Sequence, residues 1–152
     1  MDIAMALVYK TQNMEDVLMT YWKDTLLIGV PEIDDQHKKL VGAIDALMEA
    51  CAKGQGRVVI GNTLKFVLNY TKEHFAAEEK LQAQYSYPDI NAHKRQHTQF
   101  IASASALMDD FEENGPNIAL VGKINKTLID WLVNHITAED KKIGDFIKSK
   151  GG

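Results

Sequence analysis

Four long segments of the chain repeat apolar residues at the spacing of an α-helix, and this pattern constrains the fold more than any other feature. Apolar residues three and four positions apart fall on one face of a helix. Glycine and proline, which end helices, separate the segments at Gly54, Gly56, Pro88, Gly115 and Pro116. We therefore predict helices over about 34–53, 57–85, 90–113 and 118–148.

Short connections between long helices make consecutive helices antiparallel. No segment alternates polar and apolar residues with the period of a strand. The 152 residues suffice for one domain with its own core. We predict an all-α, up-down-up-down four-helix bundle over residues 22–150. Residues 1–21 are predicted to form an N-terminal extension or arm with a short helix near 14–19.

Composition excludes several classes of protein. The net charge is −4 with acidic and basic residues interspersed, so no basic patch would recruit nucleic acid. No segment approaches the roughly 20 apolar residues that span a bilayer, and no basic region opens a signal peptide. The single cysteine, Cys51, excludes an internal disulfide and is read as a small buried hydrophobic residue. The prediction is a cytoplasmic protein without membrane insertion.

Histidine placement indicates the chemistry. The chain has five histidines, and each lies on the apolar face of a predicted helix, so that all four helices contribute. One histidine on such a face is usually a core residue with satisfied hydrogen bonds. Five that converge are different, because buried imidazoles and carboxylates destabilise the fold unless they are paired or bound to metal. The pattern predicts a metal site at the bundle axis, formed by His37, His74, His93, His97 and His135.

The ligand types narrow the choice of metal. Glu78 lies one turn after His74, so it shares that histidine's face. Imidazole with carboxylate and without thiolate suits iron, zinc, copper or manganese. Five imidazoles and the carboxylates exceed the needs of one ion, so two ions are predicted. The residues alone do not decide which of these metals binds.

Four motifs agree in order and spacing with a known family. They are Asp-Asp-Gln-His at 34–37, His-Phe-Ala-Ala-Glu-Glu at 74–79, His-x-x-x-His at 93–97 and His-Ile-Thr-Ala-Glu-Asp at 135–140. With their surroundings, from about residue 22 to 148, they resemble hemerythrins, and bacterial hemerythrins in particular. The resemblance implies two iron ions (Fe2+/Fe3+) joined by an oxo or hydroxo group. The implied ligands are His93, His97 and His135 on one iron, His37 and His74 on the other, and Glu78 and Asp140 as bridges.

The same resemblance implies where oxygen binds. Octahedral irons with these ligands keep one open position, on the iron held by His37 and His74. Molecular oxygen would bind there. Phe75, Trp131, Leu132 and Ile136 would form a dry pocket, although ordinary core packing also explains their apolar character.

The carboxylate of the last motif is the one point on which helix geometry and resemblance differ. Asp140 is five residues after His135, which is a rotation of about 140° on an ideal helix. Glu139 is four residues after His135 and nearly aligned with it. The prediction follows the resemblance and takes Asp140 as the ligand.

Three functions are compatible with such a centre. The favoured one is reversible oxygen binding for transport, storage or delivery. The alternative is an oxygen- or redox-sensing domain of a signalling protein, whose partner the sequence does not identify. A diiron enzyme such as a peroxidase or nitric oxide reductase ranks last, since no dedicated proton donor is apparent. We therefore predict no catalytic residue and no enzyme.

Overall fold

The computed structural model describes residues 22–151, and it contains four long helices. The predicted arm over 1–21, with its short helix near 14–19, lies outside the described residues. No strand occurs within 22–151, and no helix there is long and apolar enough to cross a membrane. A 3-10 turn, Asp24–Leu26, precedes the helices, which are α1 (Pro31–Ala52), α2 (Arg57–Gln84), α3 (Ile90–Asn114) and α4 (118–149).

The helices form the predicted four-helix bundle. Helix α1 packs on α2 and α4, and α3 packs on the same two neighbours. Connections of three to five residues separate the helices, which keeps consecutive helices antiparallel. The apolar stripes meet in one core, whose fully buried members include Leu40, Ile44, Leu64, Phe100 and Leu128. Cys51 lies at the end of α1, where it packs against this core but is only partly buried, so it is less buried than predicted.

Helix α1 begins earlier than the pattern predicts. It starts at Pro31 rather than at Asp34. Proline suits the first helical position because it lacks an N–H and its φ angle already has a helical value. The Asp34 carboxylate instead accepts hydrogen bonds from the backbone N–H groups of Ile28 (2.8 Å) and Gly29 (3.2 Å). Asp34 therefore fixes the segment that leads into the bundle.

Helix α4 contains two π-helical turns that the sequence pattern did not predict. The turns cover Asn125–Asp130 and Ile136–Asp140, with α-helical segments before, between and after them. A π turn closes hydrogen bonds between residues five apart instead of four. Such turns occur mostly as single insertions in α-helices, often at functional sites. The second one begins directly after His135.

Candidate metal centre

All seven predicted ligand side chains converge inside the bundle. Each is at most 5% exposed. Every helix contributes, because each of these residues occupies the apolar stripe that faces the axis. Helix α1 supplies His37, α2 supplies His74 and Glu78, α3 supplies His93 and His97, and α4 supplies His135 and Asp140.

The side chains fall into two groups that share both carboxylates. The three-histidine group contains His93, His97 and His135, and the two-histidine group contains His37 and His74. Glu78 and Asp140 belong to both. Within each group, one nitrogen or oxygen atom of every member lies within 4.8 Å of the others. The arrangement can hold two ions side by side.

Each shared carboxylate turns one oxygen toward each group. Oε2 of Glu78 is 2.6 Å from Nε2 of His74, and Oε1 is 3.2 Å from Nε2 of His93. Oδ2 of Asp140 is 3.1 Å from Nε2 of His37, and Oδ1 is 3.0 Å from Nε2 of His93. This is the orientation that a carboxylate needs to bridge two ions.

The second π turn brings Asp140 into the centre. Because the turn over Ile136–Asp140 spaces its hydrogen bonds by five residues, Asp140 lies one turn after His135. Oδ1 of Asp140 is 3.2 Å from Nε2 of His135. Glu139 is partly exposed and lies 3.7 Å from the Lys142 ammonium. The alignment of Glu139 with His135 would hold only on an uninterrupted α-helix, and α4 is interrupted here by the π turn.

Two further polar residues hold histidine rings from behind. The Nδ1–H of His74 donates to Oε1 of Gln36 (2.7 Å), and the Nδ1–H of His97 donates to Oε2 of Glu79 (2.9 Å). Both contacts turn Nε2 toward the centre. Gln36 and Glu79 lie within the motifs at 34–37 and 74–79, and the sequence pattern predicts no role for them. Each of them is the sequence neighbour of a predicted ligand, Gln36 of His37 and Glu79 of Glu78. That position lies beside the ligand face of the helix and could have indicated a contact with a neighbouring helix.

Two of the four predicted pocket residues, Phe75 and Trp131, lie against the three-histidine group. The ring of Phe75 stacks on His97, with centroids 3.7 Å apart, and is 5.8 Å from His74. The ring of Trp131 stacks on His135, with centroids 4.4 Å apart. The resemblance implies that both aromatic residues surround the open position beside His37 and His74, and that role stays a prediction. Leu132 and Ile136 are almost fully buried.

The acidic and basic groups shift one another's pKa. Burial alone would lower the pKa of His37 and His93, but the nearby carboxylates of Asp140 and Glu78 outweigh it and raise both to about 9. Burial opposes ionisation of the two carboxylates as well. The neighbouring histidines nevertheless hold the pKa of Glu78 and of Asp140 below the usual range. Without metal, His37 and His93 are thus favoured as imidazolium ions beside the ionised carboxylates of Glu78 and Asp140.

Similarity to known proteins extends over most of the chain. A family model described as the hemerythrin HHE cation binding domain matches residues 28–147. The chain belongs to the hemerythrin family. The bacteriohemerythrin of Stenotrophomonas maltophilia is 34% identical over 128 residues, covering 84% of this chain and 81% of that protein. The bacteriohemerythrin of Methylococcus capsulatus is 31% identical over 127 residues, covering 84% of this chain and 95% of that protein. A crystal structure of wild-type hemerythrin aligns with a TM-score of 0.73 at 29% identity, covering 83% of this chain and 95% of that one.

The donor atoms fit the metal pair that a hemerythrin implies. Several are buried without a hydrogen-bond partner among residues 22–151, including Nε2 of His74 and of His97, Oε1 of Glu78 and both carboxylate oxygens of Asp140. They approach one another closely without hydrogen-bond geometry, as donor atoms do when their lone pairs point at shared ions. Imidazole and carboxylate together suit iron.

Stability of the metal-free hemerythrin chain should depend on pH in a defined direction. The raised pKa of His37 and His93 adds stability that is complete below 6.5 and is lost as pH rises through about 9. The lowered pKa of Glu78 and Asp140 adds stability that is lost in acid. We therefore expect the melting temperature of the metal-free protein to fall between pH 6.5 and 9.

Thermal unfolding followed by circular dichroism at several pH values checks this. The metal-loaded protein is the control, because bound histidines are already neutral and should give no such alkaline fall. A metal-free protein equally stable at both ends of this range would contradict the charged network.

Proposed function

We propose that this hemerythrin-family chain binds molecular oxygen reversibly at a pair of iron ions, for oxygen transport, storage or delivery. The supporting observation is the unequal division of histidines between two groups that share Glu78 and Asp140. Equal groups would offer both ions the same surroundings. The ion beside His37 and His74 has one protein ligand fewer, and that side is the proposed place of oxygen binding.

The proposal gives each side chain a defined task. His93, His97 and His135 would hold one iron, His37 and His74 the other, and Glu78 and Asp140 would bridge them. When bound, the irons supply the electrons that oxygen takes up reversibly. The two carboxylates offset part of the positive charge in a site where each is about 1% exposed or less.

Apolar side chains complete the site. Leu132 and Ile136 are almost fully buried on α4, and Phe75 is 3% exposed on α2. Together with Trp131 they would exclude water, which favours reversible oxygen binding over irreversible oxidation of the metal. Stacking of Phe75 on His97 and of Trp131 on His135 also fixes the planes of these imidazole rings.

Anaerobic reduction followed by exposure to oxygen tests the proposal. We expect about two irons per chain, as the coordination chemistry requires, and an absorption band that appears with oxygen and disappears when oxygen is removed. Zinc-loaded protein is the control, since zinc has no redox chemistry and should give no band. Irreversible oxidation without an oxygen-dependent band, or a preference for zinc during expression, would overturn oxygen binding.

We also propose residues 22–150 as the oxygen-binding unit and residues 1–21 as an extension. The family match over 28–147 and the burial of Leu26 and Ile28 support the first boundary. The lone Cys51 supports a reducing cytoplasm as the site of action. Binding of oxygen without catalysis is part of the same proposal.

A further inference from the structure

The two groups of the centre differ in the charge of the residue behind a histidine ring. In the three-histidine group, His97 donates its Nδ1–H to the carboxylate of Glu79. In the two-histidine group, His74 donates its Nδ1–H to the carboxamide of Gln36. The contacts are matched in geometry, at 2.9 Å and 2.7 Å, and both side chains are partly buried. Charge is therefore the main difference between them.

A carboxylate and a carboxamide act differently on an imidazole. Hydrogen bonds with an ionised partner are roughly twice as strong as neutral ones. A carboxylate behind a metal-bound histidine makes the ring a more basic ligand. A more basic ligand stabilises the higher charge of an oxidised metal ion more than the lower charge of a reduced one.

We propose that Glu79 and Gln36 make the two irons unequal in redox behaviour. Glu79, acting through His97, stabilises the oxidised state of the iron in the three-histidine group. Gln36 leaves the iron beside His37 and His74 easier to reduce, and this is the iron proposed to meet oxygen. Glu79 and Gln36 are positioning residues, because each acts through a histidine. The inference rests on the proposed diiron centre.

A matched set of three variants tests the inference by redox titration with spectroscopic detection. Glu79→Gln replaces the charge behind His97, and Gln36→Glu introduces a charge behind His74. Glu139→Gln is the control: its side chain is 33% exposed, close to the 28% of Glu79, and it pairs with Lys142. It removes one negative charge beside the predicted ligand Asp140 without touching the hydrogen bond to a histidine.

We expect opposite effects on different irons. Glu79→Gln should favour reduction of one iron by about tenfold. This factor is taken from the lower end of the range by which such partners change metal affinity, because the side chain is partly exposed. That factor corresponds to about 59 mV for one electron. Gln36→Glu should disfavour reduction of the other iron by a similar factor. Glu139→Gln should change both steps less than about twofold, since an exposed charge is screened by solvent.

The outcomes separate this inference from the proposed function. If Glu79→Gln and Glu139→Gln shift the titration equally, or Gln36→Glu shifts nothing, the inference is overturned while iron and oxygen binding stand. If the unaltered protein holds no iron pair, the proposed function fails and the inference fails with it. If Glu79→Gln loses iron, the inference is decided by whether Gln36→Glu disfavours reduction of the iron beside His74. Zinc-loaded protein gives a second readout, because the Nδ1–H resonance of His97 should move upfield when its carboxylate partner is replaced.

Discussion

Asp140→Asn is expected to reduce the iron content of the purified protein from about two per chain to one or fewer. Loss of a residue that only supports a ligand weakens metal binding by about 10- to 100-fold, and loss of a bridging ligand should exceed that range. Asp140 is close to both groups: Oδ2 is 3.1 Å from His37 and Oδ1 is 3.0 Å from His93. Asparagine keeps the size but not the charge, and it offers one oxygen instead of two.

Glu139→Gln is the matched control for this experiment. Glu139 is the neighbouring carboxylate, and an ideal helix would align it better with His135. We expect the control to retain about two irons, because Asp140 belongs to both groups of the part of the chain that the structure describes and Glu139 belongs to neither. Iron counting, with circular dichroism to establish that both variants fold, is the measurement. Retention of both irons by Asp140→Asn, with loss in Glu139→Gln, would reverse the assignment.

The bundle and the convergence of the histidines could be predicted from the sequence, because both follow from one periodicity. Residues such as His37, Leu40 and Ile44 share a face on any α-helix, so their burial together required no knowledge of the neighbouring helices. The beginning of α1 was wrong by three residues. Asp34 resembles a residue that caps a helix, yet its carboxylate binds the preceding backbone instead.

Details that depend on contacts between helices could not be predicted in this way. The π turns of α4 change the spacing of hydrogen bonds within a sequence that reads as an ordinary amphipathic helix. Helix periodicity favoured Glu139 as the ligand, whereas the family resemblance indicated Asp140. The resemblance was the better guide because the spacing of a family's motifs reflects the helix geometry that its members share. The contacts of Gln36 and Glu79 depend on how two helices are rotated against each other, and no single-helix pattern contains that information.

Gly144→Ala is expected to destabilise the folded protein by about 3 kcal/mol, toward the upper end of the range for overpacked cores. Gly144 lies on α4, one turn after Asp140, where the segment before α1 crosses the helix. A Cβ atom at this position would lie 2.0 Å from the carbonyl oxygen of Ile28 and 3.0 Å from its carbonyl carbon. The clash is with backbone, so a change of side-chain rotamer does not relieve it.

The backbone around Ile28 is also fixed, which explains why we expect a large effect. Its N–H and that of Gly29 both donate to the Asp34 carboxylate, and the Ile28 side chain is buried. Gly29 has a φ of +88°, a conformation that glycine adopts without strain. Moving the segment away from Gly144 would break these contacts. Accommodation of alanine therefore requires loss of packing at this end of the bundle.

Gly122→Ala provides the matched control on the same helix. Nothing lies within 4 Å of a Cβ atom built there, so alanine should fit and should stabilise α4 by about 0.5–1 kcal/mol. Denaturant unfolding of both variants checks the pair, with opposite signs expected. Equal effects would mean that residues 22–30 move aside freely and contribute little to the fold. Opposite effects would support placing the start of the oxygen-binding unit before α1, near residue 22, because the Ile28 backbone would then be part of what holds the bundle together.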